Sequence, residues 1–157
     1  MFQKILVGYD GSKGGKAALL RAVSMAKSAN AQITALWVRE PLPRYTDLPG
    51  EPEETAEAAD EYYRERQKEV GEVAAERGMQ IGCETRSGHP AKAIVKFADE
   101  GGYDLIVVGH SDHSEMWGRL LGDTPDRISD HANCSVLIIK EPAILPGGRF
   151  SSVKLAD

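Results

Sequence analysis

This 157-residue chain has little cysteine, no long apolar run and no excess of positive charge. Its two cysteines, Cys83 and Cys134, stand far apart with no C-x-x-C spacing. That excludes a disulfide framework and a zinc ribbon, suits a reducing compartment, and makes a cytoplasmic location the expectation. No purely apolar run exceeds four residues, as at 105–108 and 136–139, whereas a membrane span needs about 20. The opening MFQKILVGYD meets Asp10 too early for the apolar region of an export signal. With 19 basic against 24 acidic side chains and a net charge of -5, the chain has no overall grip on polyanions, so neither nucleic acid nor membrane is expected as a partner.

What is present is the material of one folded domain. Apolar residues make up 41% of the chain and 16 glycines add to them, which is the ordinary globular level and excludes whole-chain disorder. Strand and helix patterns alternate. Residues 4–10 are a short apolar run that stops at Asp10-Gly11-Ser12, the mark of a buried strand entering a turn. Residues 15–29 place Leu19, Val23 and Ala26 on one helical face, and 32–39 (QITALWVR) return to strand composition. Pro41, Pro43, Pro49 and Pro52 exclude helix and central strand from 40–52. Seven acidic residues and no basic one lie between Tyr45 and Tyr63; they read as the solvated beginning of a helix that ends at Gly78. Residues 79–85 alternate as a half-open strand. Pro90 starts a helix that Gly101-Gly102 stop, and 104–109 form an apolar strand. Thr124-Pro125 open a last helix to about residue 133, before the strand 135–140. The tail, 141–157, shows no periodicity and reads as an extended appendage to a domain spanning 1–140. This order predicts an α/β fold, a single doubly wound Rossmann-like domain with a parallel sheet covered on both faces. Ligands then bind beyond the strand C-termini where the winding reverses.

That rule points to the loops after Asp10, Val38 and Gly109. Neither G-x-G-x-x-G nor G-x-x-x-x-G-K-[ST] occurs, which disfavours a dinucleotide dehydrogenase and a P-loop hydrolase. Five stretches together carry a resemblance: KILVGYDGS at the first strand and turn, LWV, GHPAKAIVKFA, DLIVVG, and the loop through GRLLGD into CSVLIIK. Over residues 4–140 the chain resembles the universal stress proteins. The resemblance implies a five-stranded parallel sheet of order 3-2-1-4-5, commonly a homodimer through the last strand, and a regulatory role in stress with an unidentified protein partner.

One branch of that family binds ATP through a loop written Gly, two residues, Gly, nine residues, Gly, then Ser or Thr. Here the spacing survives from Gly109 through Asp112 to Gly122 and Asp123, but aspartate replaces the second glycine and the hydroxyl residue. The resemblance carries Asp10, Val38, Gly109 and Gly122 over as contacts. With Tyr9, Gly11, Val108, Asp112, Asp123 and Thr124 they make the candidate site for ATP or AMP. Asp123 opposes a phosphate by charge; Thr124 offers a hydroxyl one position later, and a Mg²⁺ held by Asp123 or Asp10 would reverse the sign. A degraded loop on a nucleotide-independent interaction protein is the alternative.

Other residues point to less. His110 and His113 with Asp112 and Glu115 have the types of a metal set, but a polar loop lacks a rigid helix to aim both imidazoles, so no zinc or copper site is expected there. Ser12 reads as a turn or cap residue, His131 as a cation suited to a helix end, and both cysteines as packing residues. Trp37 is expected half-buried on its strand, with Trp117 the better lid or interface residue. No G-x-S-x-G marks a nucleophile and Asp10 is the only general base that can be named, so enzymatic activity beyond slow ATP hydrolysis is not expected.

Overall fold

Nine elements alternate along the described residues of the computed structural model, which are 1–40, 56–110 and 124–140. They are β1 (Lys4–Gly8), α1 (Lys13–Ala29), β2 (Gln32–Arg39), α2 (Ala56–Arg77), β3 (Gly82–Ser87), α3 (Pro90–Gly101), β4 (Leu105–His110), α4 (Thr124–His131) and β5 (Ser135–Lys140). The strands form one parallel sheet of order β3-β2-β1-β4-β5, the expected topology.

β1 and β4, at the centre of the sheet, are apolar at every buried position because both faces are covered. Ile5, Val7 and Tyr9 of the β1 segment, with Leu105 and Val107, pack under α1 and Val70 of α2. Leu6, Leu36, Ile106 and Val108 pack on the other face against Ala91, Ile94 and Ala98 of α3 and Ile128 of α4. At the strand N-termini the Gln3 and Lys4 backbone N–H groups donate to the Asp104 carboxylate at 2.8 and 3.0 Å, tying β1 to β4. Burial acts against that charge, but the two donors outweigh it and hold the carboxyl below its usual range.

Several boundaries differ from the sequence expectation. β1 ends at Gly8, leaving Asp10 in the turn, and α1 begins two residues earlier than residue 15. Ser12 is the cap that makes this possible, its hydroxyl accepting from Gly15 N at 3.0 Å. β3 runs over Gly82–Ser87 rather than 79–85, because pairing with β2 starts at Thr34↔Gly82 and Met79 N still bonds the Ala74 carbonyl of α2. His110 closes β4 instead of opening a loop, and α4 ends at His131. The expectations for 40–52 beyond Glu40, for the loop after His110 and for 141–157 lie outside the described residues. Among the described residues no helix is long and apolar enough to cross a membrane.

Candidate functional site

Winding direction reverses between β1 and β4: β1 leads by way of α1 to β2 on one side, while β3 leads by way of α3 to β4 on the other. The crevice of a doubly wound sheet lies there, beyond the strand C-termini. The register Gly8↔Leu36, continued two residues, sets Asp10 level with Val38, and Val7↔Val107 sets Tyr9 level with Gly109. Asp10, Val38 and Gly109, separated widely in sequence, therefore come to one end of the sheet. Val108 is buried against α3 and α4, and Thr124 is the first residue of α4 with its hydroxyl buried and without a partner among the described residues. Asp112, Gly122 and Asp123 lie outside the described residues, as do His113, Glu115 and Trp117.

The β1–α1 turn is held from three sides. Ser12 N donates to the Asp10 carboxylate at 2.9 Å. Tyr62 of α2 donates its hydroxyl to the Asp10 carbonyl at 2.7 Å. Gly11 takes φ +83°, and a Cβ there would sit 2.5 Å from Nη1 of Arg66. Gly109 faces the start of α1: a Cβ would overlap the Gly14 carbonyl, so packing alone requires glycine here.

Sequence reading missed what α2 brings to this end. Trp37, half-buried as expected, packs against a tilted Tyr62 ring with centroids 5.0 Å apart and stacks on Tyr63 at 6.1 Å. Arg66 lies over the Tyr62 ring, its Cζ 4.2 Å from the centroid, and pairs through Nη2 with Glu69 at 2.8 Å. The other Glu69 oxygen accepts from the Tyr9 hydroxyl. The signal was there: Tyr62, Arg66 and Val70 recur at four-residue spacing, which puts an arginine on the apolar stripe.

Burial first, and then the hydrogen bond to Glu69, push the Tyr9 phenol far above its ordinary value; burial and the adjoining Cys83 raise Tyr63 to about 12. The folded protein therefore keeps both phenolic protons through a range, above about 10, where the unfolded chain loses them. Their stabilising contribution is complete below pH 10 and is lost as pH rises through the folded-state values. The urea midpoint is expected to fall steadily between pH 10 and 12, with a shallower fall in Tyr9→Phe; parallel slopes in the two proteins would sink the assignment. Burial likewise raises both Cys83 and Cys134 thiols, in keeping with packing roles. Among the described residues no group of three or more His, Cys, Asp or Glu could hold a metal ion.

A parallel 3-2-1-4-5 sheet with Asp10, Val38 and Gly109 at its switch point defines a doubly wound, Rossmann-like domain. The model of the universal stress protein family matches residues 1–140, and the chain belongs to that family. A universal stress protein of Methanocaldococcus jannaschii is 34% identical over 144 residues, covering 90% of this chain and 84% of that one. Universal stress protein YxiE of Bacillus subtilis is 35% identical over 148 residues, covering 89% of this chain and all of its own. Among solved structures, a universal stress protein in complex with cAMP superimposes with a TM-score of 0.66 at 29% identity, covering 88% of this chain and 97% of that one.

Proposed function

We propose that this protein is an adenine-nucleotide-binding sensor or adaptor of the stress response, with its pocket at the C-terminal ends of β1 and β4. The observation that carries this reading is the convergence of Asp10, Val38 and Gly109 on the switch point of the sheet; the cAMP held by a similar protein supports an adenine ligand. Val38 offers backbone to an adenine ring, and the Gly109 end of β4 leads toward the phosphate loop. Calorimetry with ATP, AMP and cAMP, each with and without Mg²⁺, is expected to give saturable heat for at least one of them. No heat at millimolar ligand ends the nucleotide reading.

The sensor works as a homodimer through β5. This strand is a sheet edge whose Val136, Leu137, Ile138 and Ile139 are only half-buried, an apolar edge that a second copy covers economically. Light scattering at high micromolar concentration is expected to give twice the 17.1 kDa chain mass; a monomer there removes this part. The alternative, a nucleotide-independent interaction protein, is favoured by one observation, the aspartates at positions 112 and 123 of the loop.

A further inference from the structure

Arg66 is placed where a helix of this kind ordinarily carries an apolar residue. It lies on the inner side of α2, four residues from Tyr62 and four from the buried Val70, with its side chain only 11% exposed. Among the described residues its Nη2 makes two ion pairs, to Glu69 at 2.8 Å and to the exposed Glu65 at 3.4 Å. Its Nε is buried and has no hydrogen-bond partner among the described residues. A pair of this kind is weak evidence of stability, since apolar residues of similar volume often serve a fold as well. What it supplies that they do not is a fixed positive charge.

That charge stands against the β1–α1 turn, which carries Asp10 and Gly11 of the candidate site. Three of the Arg66 side-chain atoms lie within 3.0 Å of where a Gly11 Cβ would be, Tyr62 fastens the same helix turn to the Asp10 carbonyl, and Gly14 carries the contact on to Gly109 and His110. The stack on Tyr62 holds the planar guanidinium in one orientation, so little is lost when it forms further hydrogen bonds. Glu69 does not depend on Arg66 alone, because its second oxygen is held by the Tyr9 hydroxyl. Arg66 can turn toward a new anion while Glu69 keeps a partner.

We propose that Arg66 is a phosphate-binding residue of the nucleotide pocket, delivered from α2 to the β1–α1 turn and exchanging its pairing with Glu69 for a phosphate oxygen of the ligand. This rests on the nucleotide reading above and adds its specificity: the site selects phosphorylated adenine compounds over the bare nucleoside through a cation outside the glycine loop.

Calorimetric titration of adenosine, AMP and ATP into wild type, Arg66→Gln, Arg66→Lys and Glu69→Gln tests it. Arg66→Gln is expected to weaken ATP and AMP about tenfold or more, the worth of a charge-assisted hydrogen bond, and to leave adenosine within about twofold. Arg66→Lys should restore part of that loss. Glu69→Gln, which frees the guanidinium, should tighten ATP several-fold without changing adenosine, a gain that a merely structural arginine does not produce. Equal losses for adenosine and ATP in Arg66→Gln, or no loss for either, overturn the assignment of Arg66 while leaving the pocket in place. Wild-type protein that binds none of the three removes the nucleotide reading, and this assignment with it.

Discussion

Gly109→Ala is expected to destabilise the protein by about 3 kcal/mol, read as a lower urea midpoint at unchanged slope. The new methyl would overlap the carbonyl oxygen and carbon of Gly14, and these are backbone atoms that cannot swing aside. Nor can the helix slide away easily. Ser12 caps its first turn, and Ala18, Leu19, Ala22 and Val23 lock its inner face against the β1 and β4 core. Gly71 on α2 is the control, since a Cβ there meets nothing within 4 Å; Gly71→Ala should stabilise by about 0.5–1 kcal/mol through helix propensity. If Gly109→Ala unfolds at the wild-type midpoint yet loses ligand, the glycine serves the ligand's approach and the packing account is wrong.

Reverting the loop should produce an effect of similar size in binding. Asp112→Gly with Asp123→Ser is expected to raise ATP affinity about a hundredfold, measured by calorimetry in the same buffer and Mg²⁺ concentration. Most of the gain is expected from position 123, since a carboxylate ~5 Å from a phosphate charge at an effective dielectric of ~20 would cost roughly 3 kcal/mol. Glycine at 112 adds access to positive φ, which aspartate reaches less readily. Unchanged ATP binding in the double variant would favour the interaction-protein alternative. A gain only in the absence of Mg²⁺ would instead show that Asp123 acts through the metal.

The parts of the fold that sequence revealed are those decided locally or by burial on both faces. β4 could be read because Leu105, Ile106, Val107 and Val108 are apolar without interruption, which a strand covered on both sides requires. α3 was legible through Pro90 at its start and Gly102 at its end. β3 was misplaced because its limits depend on where β2 offers partners, and alternation from Met79 onward says nothing about a neighbour. The start of α1 was set two residues late, because Lys13 and Gly14 add nothing to the apolar periodicity that marks the helix. Gly14 and Gly15 stand inside the helix because larger side chains would meet the His110 carbonyl and the Asp10 carboxylate.

In the site, Asp10, Val38 and Gly109 were legible because strand ends and the winding rule place them without any knowledge of contacts. The group of Tyr9, Tyr62, Arg66 and Glu69 was not, because it depends on how α2 lies across β1 and β2. The acidic lead-in to α2 drew the reading toward a solvated helix. Only the inner face, where Arg66 falls between Tyr62 and Val70, departs from that pattern.

The two margins of the sheet are unlike, and this limits how copies can join. β5 carries an unbroken aliphatic run, whereas β3 at the opposite margin reads GCETRS and exposes Glu84 and Arg86, paired with each other at 3.5 Å. Hydrogen-bonded extension from the β3 side would have to bury or displace both charges. On the proposed pairing through β5, the charged β3 margin would stop the sheet from being lengthened a second time, so association along this direction would end at closed pairs rather than fibres.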